Sequence, residues 1–257
     1  MEPITDYHRT IRGWVIRFSR NPKCDFGSVL HADSSRYPIV EGGGNFDAGK
    51  MAVRALNTGV DALRAIIDIE NSQKRGGLNV TGLSVLSRTG MVSASLAIWL
   101  LEPDDADIRF ERGLRLSREN IKQLKAFADK DGVYTKTVDP KTTEVATAYR
   151  ELANVEIAEI EKVMTRHGFN SGQHVENSAI LFEIANLLNG WDSDTNDYRK
   201  PILDAWRRTS GFAHALAWQY ELAFELQPDD FYVDAVAAPT ILMAIAIDLF
   251  DRRRTAC

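Results

Sequence analysis

The sequence predicts an all-α protein, a bundle of roughly seven helices behind an irregular N-terminal lead. Three observations lead there. Apolar residues recur at alternating steps of three and four through long windows. There is no hairpin signature and no alternation of β-branched residues. The breaks between windows carry helix punctuation, at Asp47, Gly76-Gly77, Pro103, Gly168, Pro201 and Pro228. No stretch rich in Pro, Gly or Ser divides the 257 residues, so one domain is expected overall, with a lead over 1–46 and the bundle over 47–257.

In chain order, residues 5–20 fit a helix with Ile11, Trp14, Val15 and Phe18 on one side, followed by a loop through Pro22, Gly27 and Pro38. Asp47 is placed to cap a helix reaching Arg75, because Val53, Leu56, Val60, Leu63 and Ile67 keep helical spacing. The next helix, Thr81 to Leu101, is apolar on nearly every side in its second half and should lie centrally. Pro103 and Asp104 then open a charged helix to Asp131, striped by Phe110, Leu114, Ile121, Leu124 and Ala128. Pro140 to His167 should turn Val145, Tyr149, Leu152, Ile160 and Val163 inward, with Gly168 as its C-cap. A shorter helix spans Val175 to Leu188. A long one spans Pro201 to Gln227, and a last one Ala235 to Arg253, in which Pro239 marks a kink or the start.

Composition excludes several classes. A formal net charge of -5 argues against a broadly basic nucleic-acid surface, though a local arginine cluster can still grip a phosphate. Cys24 and Cys257 have no metal-ligand spacing, and the five histidines are scattered, so neither a metal nor another cofactor is expected. The N-terminus lacks a secretory pattern and Val236 to Leu249 is too short to span a bilayer, so the expectation is a soluble, cytoplasmic protein. Gly44 to Lys50 fits a phosphate-binding loop until Met51, where such a loop needs Ser or Thr. A helical context reads this stretch as a loop and helix cap. Arg109, Arg112, Arg115 and Arg118 read as a solvated, salt-bridged helix face. Arg88, inside an apolar helix, should pair with Glu221 or Asp204 or face a polar cavity.

The chemistry-bearing stretch is Pro201 to Gln227. Ile202, Trp206, Thr209 and Ala213 form its buried seam, and beside it run Arg207, Ser210, His214, Trp218 and Glu221. At about 100° per residue, Arg207 and His214 differ by only about 20°. A neutral imidazole can take a proton from a ribose hydroxyl and return one to a leaving oxygen, while a guanidinium holds the phosphate. That pair suffices for cleavage of RNA without a metal, and not of DNA, which lacks the 2′-hydroxyl. The competing expectation is structural: His214 satisfied by a neighbouring group, within a non-catalytic interaction or ligand-binding protein.

Arg208-Thr209-Ser210-Gly211-Phe212-Ala213-His214, or the same motif counted from Arg207, resembles the Arg-x(4–6)-His motif of the HEPN superfamily. Those are helical proteins that include toxin and defence ribonucleases. The resemblance implies a metal-independent endoribonuclease with His214 as acid/base, Arg207 or Arg208 as phosphate clamp and Ser210 as orienting hydroxyl. Arg88, Trp218 and Glu221 are the candidate substrate-binding residues. It also implies an RNA substrate, a homodimer completing one site from two copies, and an antitoxin or other protein partner. The family commonly has an amide, acid or imidazole after the motif arginine, where this chain has Arg208 or Thr209. Ala97 to Arg115 and Trp206 to His214 are also similar to uncharacterised helical proteins of actinobacteria, which imply no activity.

Overall fold

The computed structural model describes residues 2–20, 22–37, 47–73, 80–134, 140–170, 172, 174–189, 198–213 and 228–256. Among them are nine helices and no strand. They are α1 (Glu2–Phe18), α2 (Val29–Ser34), α3 (Ala48–Gln73), α4 (Val80–Leu101), α5 (Ala106–Tyr134), α6 (Pro140–Arg166), α7 (Asn177–Asn189), α8 (Arg199–Ala213) and α9 (Pro228–Arg254).

The expected central helix is central: α4 packs on α3 and α9 most extensively, then on α8, α7 and the start of α5. Leu83, Met91, Ile98, Leu100 and Leu101 are fully buried. Among the described residues α4 is also the one helix long and apolar enough to cross a membrane, and 67% of that stretch lies inside the bundle. Its crossing with α9 is close. A Cβ built on Gly90 would stand 3.0 Å from the Pro239 Cβ, so the missing side chain on α4 makes room for the proline ring. That fit corrects the expected boundary of the last helix. Pro239 is inside α9, which starts at Pro228 rather than Ala235, and dense packing holds the helix through a residue that donates no hydrogen bond.

The end of α4 exposes carbonyls that no further turn can satisfy. Arginines from two other helices take them up. Arg112 Nη1 donates to Trp99 O at 2.6 Å, and Arg253 Nε to Leu101 O at 3.2 Å. Arg253 Nη2 reaches Glu102 O and Pro103 O, both at 3.2 Å, and Asp104 Oδ1 at 2.6 Å. Arg109 Nη1 adds Pro103 O at 2.7 Å and Asp104 O at 2.8 Å. Cations at a helix C-terminus also suit its dipole.

These contacts revise the reading of the arginine-rich helix. Each of its four arginines is ion-paired, to Asp33, Glu183, Glu111 and Glu161 in turn, but Arg109 and Arg118 are buried rather than solvated. Two more expectations fail. The 22–38 loop contains α2, whose first turn is capped by Ser28 Oγ accepting from His31 N. On α6, Val145 and Tyr149 are exposed and the inner face is Ala146, Ala153, Ile160 and Met164. Because α6 packs chiefly on the single helix α5, that contact rather than hydrophobicity alone decides which residues turn inward. Leu124 of α5 is likewise exposed. The caps at Asp47 and Gly168 are as expected: Asp47 Oδ1 accepts from Lys50 N at 2.8 Å, and Gly168 has φ +73°.

The ends of α1 and α9 are joined by Asp251, which accepts from Arg17 and from Arg254 Nε, the latter at 2.8 Å. Burial alone raises the Asp251 carboxyl, but the two arginines outweigh it and hold it below the usual carboxylate range. A carboxyl depressed in the folded state adds stability that is present above its unfolded value of about 3.9 and is lost as pH falls through the folded value. Urea unfolding at a series of pH values should therefore show stability falling below about pH 4, less steeply in Asp251→Asn than in the parent chain. Equal slopes would mean that the bridge adds nothing.

Candidate functional site

Helix α8 carries the sequence-predicted site as far as Ala213. Pro201 lies in its first turn, where a missing N–H costs nothing. Ile202, Trp206 and Thr209 are buried as the expected seam, Ala205 is buried beside them, and Thr209 Oγ1 donates to Ala205 O at 2.8 Å. Against this seam lies α4.

The candidate residues divide by depth. Arg207 is on the surface, its side chain 63% exposed, and Nη1 stands 3.4 Å from Asp204 Oδ1. Such an exposed pair is worth at most about 1 kcal/mol, so the guanidinium can exchange Asp204 for another anion. Arg208 is half-buried and engaged. Ser210 Oγ is buried and has no hydrogen-bond partner among the described residues. Arg88 reaches α8 from α4, its guanidinium 4.8 Å from the Trp206 ring centroid. Of its two expected carboxylate partners, Asp204 is paired with Arg207 and Glu221 lies outside the described residues, while the cation lies on an aromatic face. His214, Trp218 and Glu221 fall outside the described residues.

Ser210 is not isolated in being unpartnered. Ser84, Ser87 and Ser95 on α4 and Thr240 on α9 also bury hydroxyl oxygens without partners, on helices that pack against each other and α8. The sequence marks none of them, because a serine within a helix is also compatible with a bond back to its own backbone.

Elsewhere, a cavity of about 380 Å³ opens between the 22–24 segment, α2 and the first turns of α3. It includes Gly49 and Lys50 from the stretch that imitates a phosphate loop, together with Lys23, Cys24, His31 and Arg54. Asp47 is 2% exposed, caps α3 through Oδ1 and leaves Oδ2 without a hydrogen bond. Lys50 Nζ stands 3.6 Å from that oxygen. Burial, followed by the Asp47 charge, raises the Cys24 thiol above its ordinary value, which keeps it protonated. Sequence spacing could mark Asp47 as a cap. It could not bring residues 22–24 and α2 over it, because that depends on the tie of Asp25 N to Arg254 O, 2.8 Å, at the far end of the chain.

Among the described residues no three His, Cys, Asp or Glu side chains gather as a metal site. No protein-family model, curated protein or solved structure matches the chain.

Proposed function

We propose that the protein is a metal-independent endoribonuclease of the toxin or phage-defence kind, acting in the cytoplasm as a homodimer restrained by a protein partner. The observation that supports this best is the open guanidinium of Arg207. The arginines of α5 are committed to carboxylates and backbone carbonyls of the fold, whereas among the described residues Arg207 is paired with an exposed carboxylate on its own helix. The Arg/His resemblance of the sequence supplies the rest.

In this reading the His214 imidazole takes the proton of a ribose 2′-hydroxyl. The freed oxygen attacks the adjacent phosphorus, and the bond to the 5′-oxygen breaks as the imidazolium returns a proton to it. The products carry a 2′,3′-cyclic phosphate and a 5′-hydroxyl. Arg207 stabilises the charge that builds on the phosphate oxygens, with Arg208 as the alternative clamp. Ser210 Oγ, buried without a partner, keeps the bonding capacity an orienting hydroxyl needs. Trp218 and Glu221 extend the face toward the substrate, and Arg88 supports it through Trp206.

The test is incubation of purified protein with single-stranded RNAs and tRNAs in excess chelator, beside His214→Ala and Arg207→Gln. New ends bearing cyclic phosphates are expected with the parent chain only. Arg207 is exposed, so its variant should keep the parent melting temperature. Cleavage that survives in both variants, or that needs added magnesium, would sink the proposal.

The second reading is a non-catalytic interaction or ligand-binding protein. The stacked Arg88 and Trp206 and the cavity beside α3 favour it, since both use polar groups for fit rather than reaction. Expression in bacteria separates the two: an active nuclease slows growth unless its partner is supplied, and a binding protein does not.

A further inference from the structure

Helix α6 packs chiefly on α5, and the ties of α5 to Asp33, Tyr37, Met51 and Glu183 all start from residues 109–117. The rest of the pair carries apolar side chains in solvent. Leu124, Phe127, Val145, Tyr149 and Val155 are between 39% and 64% exposed.

Two ion pairs fix how the helices lie. Arg150 Nε is 2.6 Å from Asp129 Oδ1 and Arg118 Nη1 is 3.8 Å from Glu161 Oε1, so the pair is antiparallel, with Phe127 about level with Leu152 and Leu124 with Val155. At about 100° per residue, Leu124 and Phe127 lie about 40° and 100° to one side of the buried Ala128. Tyr149, Val145 and Leu152 lie about 40°, 80° and 100° from the buried Ala153 in the same sense. In an antiparallel pair these turns lead to one common edge. The ion-paired residues turn the other way, so the hairpin has a charged edge and an apolar one.

The apolar edge suits a copy of itself. Asn120 and Gln123 flank it on α5 and Ala148 on α6, and charges begin only at its margins, with Glu151 on the outside of α6 and Glu159, paired with Lys162, toward the bundle. Such an edge has no charge with which to select a basic or an acidic partner and none to repel its twin. Helices rise about 1.5 Å per residue and are about 10 Å wide, so α5 from Asn120 and α6 as far as Glu159 offer about 500 Å² a side, about 1,000 Å² for two copies. That area is what a weak dimer needs. Two-fold pairing also leaves no apolar remainder on which a third copy could grow.

We infer that the apolar edge of the α5–α6 hairpin is a self-association surface, on which a second copy lays the same edge to make a four-helix contact. Val145, Tyr149 and Leu124, apolar residues of helical stripes that the single chain leaves exposed, are covered there. The contact does not rest on the ribonuclease reading, whose copies meet across α8, a helix packed on α4, α7 and α9.

Sedimentation of the full chain across the micromolar range tests it, beside Phe127→Glu, Tyr149→Glu and, as a control on a different face, Ile16→Glu. All three positions are exposed, so helical circular dichroism should stay as in the parent. The parent should show a saturating monomer–dimer equilibrium. Each hairpin variant should weaken it at least about tenfold, because a carboxylate would be shut into an apolar contact, and Ile16→Glu should leave it unchanged. A parent that stays monomeric, or that grows past a dimer, overturns the inference. So does a dimer that survives in both hairpin variants, which would be one formed elsewhere, α8 included, or one weakened equally by Ile16→Glu. Should one hairpin variant lose its helical signal, the other decides alone. Loss of RNA cleavage with the dimer intact would count against the ribonuclease reading only.

Discussion

Arg109→Met should destabilise the fold by about 3–5 kcal/mol, because it strands a buried carboxylate. Arg109 and Asp33 are both about 3% exposed, and the guanidinium meets the carboxylate twice, Nε to Oδ2 at 2.7 Å and Nη2 to Oδ1 at 3.1 Å. The same side chain holds the Pro103 and Asp104 carbonyls beyond α4, so its loss also frees the turn from α4 into α5. The pair itself need not be a net source of stability, since taking two charges out of water costs about as much as their attraction returns. Arg109→Met combined with Asp33→Leu should therefore recover part of the loss. Urea unfolding measures both, and a single variant within about 1 kcal/mol of the parent would show that the carboxylate finds water or another partner.

Phe110→Ala, one position along, should cost a similar 3–5 kcal/mol or so by a different route, the loss of a fully buried aromatic side chain and the cavity it leaves. Its ring is the hub of a cluster. Tyr37 stands edge-on at 4.9 Å and 82°, His167 at 5.3 Å and 81°, and Phe169 at 6.0 Å and 72°, while Arg36 lies 4.8 Å from the centroid on another side. Three separate parts of the chain, the end of α2, the start of α5 and the turn after α6, thus meet on one residue. The variant should lose near-ultraviolet circular dichroism and speed amide exchange in residues 167–169. A change in stability below about 1 kcal/mol would mean that the neighbours close over the gap. Since residues 109 and 110 anchor the same joint, the double variant should lose less than the sum of the two.

Helix existence and order were legible because periodicity and caps are local signals: Asp47, Gly168 and the stripes of α1 and α3 fall where spacing puts them. The errors have a common physical source. Hydrophobicity alone turns Val145 and Tyr149 inward, but the packing of α6 on α5 decides its face. Pro239 reads as a kink or a start, and only Gly90, on another helix, shows how the ring is accommodated inside α9. Arg109 and Arg118 read as solvated until Asp33 and Glu161 come to meet them. Of the candidate site, the part of the α8 seam at Ile202, Trp206 and Thr209 was legible. The inward Ser210 oxygen and the Arg88 stack on Trp206 were not, because both depend on how α4 lies across α8.

The central position of α4 also has a consequence for synthesis. The helix leaves the ribosome with α3 as the only large neighbour already made, and α9, its other main partner, begins at residue 228, long after α4 ends at residue 101. At bacterial or eukaryotic rates of about 5–20 residues per second, that wait is on the order of ten seconds. Throughout it the nascent chain presents a long apolar helix that by length and composition can pass for a membrane segment. Chaperones and membrane-targeting factors therefore meet this helix as competitors of α9, and crosslinking to stalled chains ending between residues 130 and 220 would find them there.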